Sequence, residues 1–447
     1  KYKTLIRRNS FLLSLLCAVV WLTGCVQDEF NTALPTSVDA TRFALTVSDV
    51  NIPSVSSRAM SGTGTDNKED EVKTVDILVF DNSKSPAVFL EWSQGKNITQ
   101  DLANNTSTVE FEVALSPTLV STRIVVVANR QLNSIVSGFI KGTTTKAEVM
   151  AELTHTLTDK WPADGSTADG YRPIPMYGEK VVAKLDHSSI NPISGISMKR
   201  MLARIDVRNS TSNFKVEEVY LANYNTKGYL APLWDTNGEL NTSTPDALNI
   251  PGDSGKKKEE SDALSYPVNG SKVYDGEIYT FEAAAAVDAG GVTEDNDVGR
   301  KEAVCLIVKG KIDNGPSTFY RIDFTQTGQK GEQVGYLPLK RNHKYIISIT
   351  EALGAGNASL GEALASYTVM SNLKFRVIHY DRDKVKDVVY NGQYMLGVGE
   401  PEIKVTQYQN NSYAVDIFTD TPGGWKATVT EGDWLKFNVG GKFVETA

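Results

Sequence analysis

Residues 72–80 read VKTVDILVF, and their alternation places Val75, Ile77 and Val79 on one face of an extended strand. Similar runs recur along the chain between turn-forming residues, and they are rich in the β-branched and aromatic residues that half-buried pleated surfaces favour. We predict further strands at residues 108–115, 122–128, 198–208, 215–222, 273–281, 303–312, 318–324 and 343–350. Many short strands joined by irregular loops predict an all-β protein built from sandwiches.

The composition narrows the classes of function. The chain has 447 residues, with 46 basic and 54 acidic side chains and a formal net charge of −8. A length of this size suggests two or three domains. The mild acidity argues against a nucleic-acid partner, which would need a basic surface to neutralise phosphates. Four histidines and three cysteines leave little material for a transition-metal site, so we predict no metal and no cofactor.

The first 25 residues have the pattern of a lipoprotein signal peptide. Four basic residues precede an apolar run at residues 11–22, which ends in Leu22-Thr23-Gly24-Cys25. Small residues before a cysteine resemble a bacterial lipobox, in which the cysteine is acylated and becomes the mature N-terminus. We therefore predict a signal peptide at residues 1–24, lipid on Cys25 and a mature net charge of −12. An uncleaved anchor helix is the alternative, although the apolar run is shorter than the roughly 20 residues of a membrane span.

The cysteines offer no intramolecular disulfide in the predicted mature chain. Cys17 leaves with the signal peptide and Cys25 carries lipid, so Cys305 remains alone. Cys305 lies in an apolar run, where a free cysteine behaves as a small hydrophobic residue. We expect it to be buried in a strand.

A single apolar island stands in the polar region that follows. Phe43, Leu45 and Val47 alternate with small or polar residues, which predicts one strand with one apolar face. Residues 51–70 then form a polar loop in which Arg58 is the one arginine. A strand tethered by such a loop could be removed by one proteolytic cut.

The remaining chain divides at loops. The one helix that the pattern supports is at residues 143–153, with threonines 143–145 as possible caps. Residues 235–270 and 287–300 are polar and are predicted to be solvated loops. We place domain boundaries near residues 191–194 and near Asn372, so the predicted sandwiches span residues 59–194 and 195–372 and an extension spans 373–447.

Enzyme motifs are missing from the sequence. The four histidines are far apart, with no zinc-protease spacing, and no nucleophile elbow of the type G-x-S-x-G occurs. The glycines at 354, 356 and 361 follow a strand, but the third stands too late for a dinucleotide loop. The acidic cluster at residues 294–297 lacks calcium-loop spacing. Isolated carboxylate pairs leave glycosidase chemistry unsupported, and we predict no catalytic residues.

Several segments together resemble the fimbrillin family of Bacteroidales-type fimbriae. Residues 72–81 resemble the first strand of its processed domain, and residues 123–130 (RIVVVANR) resemble a later strand. Residues 174–179 (IPMYGE) match a recurrent family segment. The most specific match is residues 197–207 (SMKRMLARIDV), and residues 341–345 resemble the entry to the final strand. With the lipobox, the resemblance covers about residues 1–350.

The resemblance implies a fold and an assembly route. Its members have two tandem transthyretin-like β-sandwich domains, are exported as lipoproteins to the outer membrane, and are cut by an arginine-specific protease. They then polymerise into a fimbrium by donor-strand exchange and serve adhesion. On this chain, Arg58 is the implied cleavage position and Ala59 the new N-terminus, while Arg42 is the competing position. The propeptide would be residues 25–58, with Phe43, Leu45 and Val47 as the side chains that leave with the removable strand.

The extension departs from the stalk subunits, whose chains end soon after the second domain. Residues 373–447 weakly resemble a small Ig-like module of the kind called BACON, with Trp425 and Trp434 on strand-like patterns. These tryptophans could contact a host or bacterial glycan or protein, or they could fill a core. An appended module would obstruct stacking, which favours an accessory or tip subunit over a stalk subunit. Residues 437–444 contain a Gly-Gly hairpin signal and resemble the middle of a domain, so we expect that domain to continue past Ala447.

Three hypotheses therefore stand. The first is a non-enzymatic fimbrial subunit that exchanges strands, and the second is a surface lipoprotein that binds glycan. The third hypothesis is an enzyme, and no group of residues in the sequence supports it. A further alternative for residues 43–47 is a permanent first strand in a self-contained lipoprotein.

Overall fold

The structure, a computed structural model, describes residues 40–47, 69–100, 108–161, 172–186, 192–268, 273–286, 301–327, 333–366, 372–382, 384–385, 387–390, 395–399, 413–419, 421, 424–429, 436–439 and 442–444. Strands dominate these residues, and the predicted all-β fold is confirmed. Within the described residues no helix is long and apolar enough to cross a membrane.

The first part of the described chain, up to Arg200, carries strands and two short helices. These elements are β1 (Ala40–Val47), β2 (Val75–Asp81), β3 (Val88–Gln94), β4 (Lys96–Gln100), β5 (Thr108–Ala114), β6 (Thr122–Ala128), α1 (Asn133–Val136), α2 (Lys146–Glu152), β7 (Thr154–Thr156), β8 (Met176–Val182) and β9 (Ile193–Arg200).

Eight of these strands form one sheet in the order β3-β2-β6-β8-β9-β1-β5-β4. The sheet bends at β9, which pairs with β1 along residues 193–198 and with β8 only at Lys199 and Arg200. Side chains of β2, β6 and β8 therefore meet those of β1, β5 and β9 in a single core. Gly178 in β8 permits the crossing, because a Cβ there would stand 2.7 Å from the Met198 sulfur. This folded sheet is the first sandwich.

Helix α2 confirms the predicted helix and its cap. Thr145 is the N-cap residue, and its side chain accepts a hydrogen bond from the backbone N–H of Glu148. The Glu148 carboxylate accepts in turn from the Thr145 backbone N–H at 2.7 Å, which completes a capping box. The helix is shorter than predicted because its regular turns begin only after this cap.

The second part of the chain forms another sandwich. Its elements are β10 (Ala203–Asn209), β11 (Phe214–Ala222), β12 (Lys227–Tyr229), a 3₁₀ helix (Glu260–Asp262), β13 (Leu264–Pro267), β14 (Val273–Thr280), β15 (Cys305–Ile312), β16 (Thr318–Asp323), β17 (Thr325–Thr327), β18 (Gln333–Tyr336), β19 (His343–Ala352), α3 (Leu360–Ala365) and β20 (Leu373–Asp381). Two four-stranded sheets, β14-β10-β19-β20 and β13-β11-β15-β16, enclose its core. This is the second sandwich.

The predicted strand at residues 198–208 is two strands, and here the prediction was wrong. β9 ends at Arg200 and belongs to the first sandwich, whereas β10 begins at Ala203 and belongs to the second. Met201 and Leu202 between them donate and accept backbone hydrogen bonds with Pro175 and Asn342. An unbroken alternating pattern therefore conceals the passage from one sandwich to the other.

The predicted solvated loop at residues 235–270 is also partly ordered and buried. Tyr266 is buried on β13, opposite Val219 of β11. Buried Asn249 donates to the Ala231 carbonyl at 3.0 Å. The polar composition concealed a strand because apolar residues are sparse there.

The described residues after Asp381 include β21 (Asp387–Tyr390), β22 (Met395–Val398), β23 (Ile417–Thr419), β24 (Phe437–Val439) and β25 (Lys442–Val444). β21, β22 and β23 form a three-stranded sheet, and Met395 of β22 packs with Ile378 and Tyr380 of β20. β24 and β25 pair across residues 440–441, as the Gly-Gly hairpin signal predicted.

One predicted domain boundary falls inside a strand of a sandwich, and the other falls directly before one. The boundary at 194/195 falls inside β9, and β20 begins at Leu373, just after the boundary at 372/373. β20 pairs with β19 throughout its length and contributes Phe375 and Val377 to the second core. We therefore propose a division at residues 201–202 and a C-terminal region that begins after Asp381.

Candidate functional site

Strand β1 lies inside a sheet rather than at its edge. Its neighbours are β9 on one side and β5 on the other, and it runs parallel to β9. Both rows of its backbone hydrogen-bonding groups therefore face other strands. Removal of β1 would leave unpaired backbone groups along β9 and β5. Exposed strand edges of this kind pair readily with another chain.

Phe43 and Leu45 are the side chains that β1 contributes to the first core. Both are fully buried. The Phe43 ring stacks on the Phe111 ring of β5, with centroids 5.1 Å apart and planes at 6°. Burial of two such side chains is worth about 1.5–3 kcal/mol each. The alternation therefore predicted these two buried positions correctly, since Ala44 between them is only half-buried.

A bulge sets the register of β1 against β9. Phe43 pairs with Ile193 and Leu45 pairs with Ile196, so β9 carries one extra residue between these pairs. Gly195 lies in this stretch with φ of +73°, a conformation that glycine adopts without strain. At the end of β1, the backbone of Val47 pairs with Met198.

The other predicted site residues divide into three groups. Cys25, Arg58, Ala59 and Trp434 lie outside the described residues. Arg42 is part of β1, so its backbone belongs to a paired strand. Trp425 is described and is 47% exposed, so it does not fill a core.

Two carboxylates mark the point where the described chain resumes after β1. Glu69 and Asp70 are both buried. Glu69 accepts a hydrogen bond from Arg204 at 2.7 Å. It also forms an ion pair with Arg382 and accepts a hydrogen bond from the Tyr279 hydroxyl. We call this pair of residues the acid pair.

Arg200 at the end of β9 completes the contacts of the acid pair. Its guanidinium forms an ion pair with Asp70, and its Nε donates to the Glu69 carbonyl at 3.2 Å. Its Nη1 donates to Asn342 at 3.0 Å. Because β9 is also the neighbour of β1, the same strand contacts the segments on both sides of residues 48–68.

The charged face of β10 lies beneath the acid pair. Arg204 donates to both oxygens of Asp206 at 2.8 and 3.1 Å, and Lys344 of β19 lies 2.9 Å from Asp206. All three side chains are buried. Buried charges of this kind are tolerated only when they are paired and hydrogen-bonded.

Sequence reasoning missed this cluster. The alternation in β10 places Ala203, Ile205 and Val207 in the second core and predicts that the charged residues between them face water. The available signal was the pair of adjacent acids at 69–70 together with the arginines around residues 200–208. Nothing in the pattern says that these groups meet, because more than 130 residues separate Glu69 from Arg204.

A second ionic network joins the first sandwich to the chain that follows β12. Lys146 of α2 lies 2.8 Å from Glu179 of β8, and Arg123 of β6 bridges Glu179 and Glu239 at 2.5 Å each. Lys146 is completely buried; burial lowers its pKa, and the Glu179 carboxylate opposes this shift. Glu239 follows β12 in the chain, so this segment of the second part is held on the first sandwich.

The described residues hold no group of three histidine, cysteine or acidic side chains that could bind a metal ion. Cys305 is buried in β15 as predicted, and burial raises the pKa of its thiol to about 11. A thiol of this kind stays protonated near neutral pH and is a weak nucleophile.

Comparisons with known proteins add the family. A family model described as fimbrillin-A associated anchor proteins Mfa1 and Mfa2 matches residues 36–296. Among solved structures, the chain is similar to the tip fimbrial protein Mfa3 from Porphyromonas gingivalis with C-terminal truncation. The identity is 15% and the TM-score 0.45, over 76% of this chain and 99% of that chain.

It is also similar to a candidate cell adhesion protein from Parabacteroides distasonis ATCC 8503. There the identity is 16% and the TM-score 0.43, over 77% of this chain and 99% of that chain. No curated protein matches. Because the family model covers more than half of the sequence, the chain belongs to the fimbrillin-A associated family and is a fimbria-associated protein of the cell surface.

Proposed function

We propose that this chain is a structural subunit of a fimbrium, exported as a lipoprotein acylated at Cys25 and opened by an arginine-specific protease. The cut falls after Arg58, Ala59 becomes the new N-terminus, and β1 leaves the first sandwich. A strand from another subunit then fills the vacated position. The position of β1 between β9 and β5, with Phe43 and Leu45 buried, is the observation that carries the proposal.

The physical driving force lies in what β1 leaves behind. Its departure uncovers the apolar floor around Phe111 and two rows of unpaired backbone groups. An incoming extended segment restores the main-chain hydrogen bonds and fills the two pockets with alternate side chains. The parallel neighbour β9 and the bulge at Gly195 set the direction and register that this segment must match.

The acid pair supports a cut before residue 69. Glu69 and Asp70 are held by three arginines, so the chain after the loop stays in place when β1 departs. Arg58 precedes the pair and follows β1. Arg42 is the poorer position, because a protease binds its substrate as an extended chain and the Arg42 backbone is engaged within β1.

One experiment tests this proposal directly. The purified precursor is treated with an arginine-specific protease, and its N-terminus and oligomeric state are measured by mass spectrometry and light scattering. We expect a new N-terminus at Ala59 and the appearance of oligomers. Arg58→Ala should remain monomeric with lipid still on Cys25, while the matched control Arg42→Ala should assemble as the wild type does. Assembly of Arg58→Ala at the wild-type rate would contradict cleavage at this position.

The C-terminal region supports a proposal for the place of this chain in the fibre. The chain continues beyond β20, and the three-stranded sheet of β21, β22 and β23 packs against that strand. Because such a region obstructs stacking at one end, we propose an accessory or tip subunit with a stalk subunit as the alternative. In either case the partners are other fimbrial subunits and, for the precursor, the lipid of the outer membrane.

A second candidate function is glycan binding by the C-terminal region, with a host or bacterial surface glycan as partner. The observation that favours it is the exposure of Trp425, since exposed aromatic rings can stack on sugars. Glycan pull-down with the full chain should be lost in Trp425→Ala. Leu396→Ala serves as the control because Leu396 is 42% exposed in the same region. Equal retention of both variants would remove this candidate.

A further inference from the structure

The chain enters β1 at one end of the first sandwich. The start of β6 at Thr122 pairs with Asp81 at the end of β2 and with Val182 at the end of β8. β9 begins beside the start of β1, since Ile193 pairs with Phe43. Three loops meet at this end, which we call the entry end: residues 82–87, 115–121 and 183–186.

The loop at residues 115–121 presents two apolar side chains to solvent. Leu119 is 91% exposed and Val120 is 42% exposed, and we call these two residues the apolar tip. Within the described ranges no large apolar side chain is more exposed than Leu119. Val181, one residue before the end of β8, is also exposed at the entry end. Single exposed apolar residues are ordinary, whereas several at one end of a domain indicate a contact surface.

Backbone hydrogen bonds hold this loop in place. Thr118 and Leu185 exchange two of them, at 2.8 and 3.0 Å, and the Ser121 carbonyl accepts from the Asn82 N–H at 2.9 Å. The backbone on both sides of the apolar tip is therefore tied to the neighbouring loops. Because the tip is fixed in advance, its burial against a partner costs little conformational entropy.

The charges around the apolar tip fit a lipid surface. Residues 113–122 contain no charged side chain, so burial of the tip removes no ion from water. Lys84 and Lys184 are exposed on the two neighbouring loops. Lys184 also lies 2.6 Å from Asp186, with its side chain 60% exposed. An apolar tip between lysines matches a bilayer surface, where acyl chains lie beneath anionic headgroups.

The position of the entry end in the chain favours the same partner. Under the proposed function Cys25 carries lipid, and β1 begins at Ala40, fifteen residues later (40 minus 25). A segment of that length spans at most roughly 50 Å. The opposite end of the first sandwich is occupied, because Arg200 meets the acid pair there. The lipidated segment therefore joins the sandwich at the end that carries the apolar tip.

We propose that the entry end docks on a lipid bilayer through the apolar tip, with Lys84 and Lys184 against headgroup phosphates. This inference deepens the proposed function, since the lipid on Cys25 belongs to that proposal. The lipid keeps the chain near the bilayer without orienting it, and the apolar tip supplies the orientation. Once β1 and its lipid have left, the tip is the remaining contact, so the processed subunit stays at the surface reversibly until it is incorporated.

The test uses the chain from residue 25 onward with Cys25→Ser, which carries neither signal peptide nor lipid. Sedimentation with vesicles of phosphatidylethanolamine and phosphatidylglycerol measures the bound fraction. The tip variant is Leu119→Ser/Val120→Ser, and the matched control Leu353→Ser/Leu396→Ser changes two exposed apolar residues elsewhere. The control should bind as the parent chain does, and the tip variant roughly tenfold more weakly or less. Equal binding of the tip variant, or no binding of the parent chain, would overturn the inference.

A tryptophan at the tip reports whether it enters the bilayer. Vesicles with brominated acyl chains should quench the fluorescence of Leu119→Trp more than that of the parent chain. The matched control Leu353→Trp should show no added quenching. Sedimentation of Leu119→Trp with the vesicles without added quenching would mean that another surface binds lipid, and it would overturn the inference.

The other occupant to exclude is a second protein chain. Light scattering without vesicles examines this, since self-association that the tip variant loses, together with absent vesicle binding, would overturn docking on lipid. The protease assay of the proposed function is independent of these measurements. Oligomers after protease treatment without vesicle binding would reject docking and keep the proposed function. Vesicle binding that depends on the tip, without oligomers after treatment, would support docking and reject strand exchange.

Discussion

The segments on the two sides of residues 48–68 are held in place by different kinds of interaction. β1 is held by a strand ladder and by two apolar side chains, Phe43 and Leu45. The acid pair, Glu69 and Asp70, is held by buried ions from β9, β10 and the residue after β20. Apolar contacts are non-directional and accept any side chain of similar size, whereas a buried ion needs its particular partner. A strand held in the first way can be replaced, and a segment held in the second way cannot.

The strongest test of this contrast is Glu69→Gln. It keeps the shape of the side chain but leaves the cations around it without their counter-charge, so we expect the free energy of unfolding to fall by about 4 kcal/mol. Urea unfolding of the precursor measures this. The control is Glu71→Gln, whose partly exposed pair with Lys73 spans 3.3 Å and should cost less than about 1 kcal/mol. Equal losses for the two variants would remove the contrast.

Phe43→Ala should lower the free energy of unfolding of the precursor by about 3 kcal/mol, because it empties the pocket beside Phe111. The processed chain lacks β1, so its stability should not change at all. Thermal unfolding before and after protease treatment separates the two states. A loss that persists after processing would mean that β1 remains attached.

Gly195→Ala examines the bulge opposite β1. The φ of +73° disfavours any residue with a Cβ, and we expect a loss of about 1–2 kcal/mol in the precursor. Once processed, the variant should also bind a synthetic peptide of residues 40–50 more weakly than the wild-type processed chain does. Gly142 has the same φ in a turn outside the sheet, so Gly142→Ala should lower stability similarly without changing peptide affinity. Calorimetric titration distinguishes the two.

The smallest effect is expected for Ala44→Ser. Ala44 is half-buried and lies between the two core positions, so the free energy of unfolding should change by less than about 0.5 kcal/mol. A larger change measured by urea unfolding would mean that this side of β1 also contacts something specific.

Local pattern predicted much of the sheet structure. β6 has the bounds that the alternation predicted, and Phe43 and Leu45 lie in the core as the apolar island indicated. These predictions succeed because a strand with one buried face has apolar residues at alternate positions, and this pattern is visible over a few neighbouring residues. The capping box of α2 is local in the same sense.

Long-range features were beyond that reasoning. Apolar and polar residues continue to alternate where β9 ends and β10 begins, so the pattern predicted a single strand there. The contact of Glu69 with Arg204 joins residues that no period relates, and a charged alternate face normally predicts solvent. Likewise, the pattern of residues 413–417 is typical of a buried strand, and only the fold reveals that Tyr413 and Val415 are exposed.

The parallel pairing of β1 with β9 has a consequence for the shape of an assembly. Under the proposed strand exchange, an incoming strand that kept this sense would orient every subunit alike, and the fibre would have a distinct head and tail. Such a contact would join two different surfaces without closing on itself, which permits growth without a built-in limit. Length would then be decided by the supply of subunits and by whichever chain occupies each end.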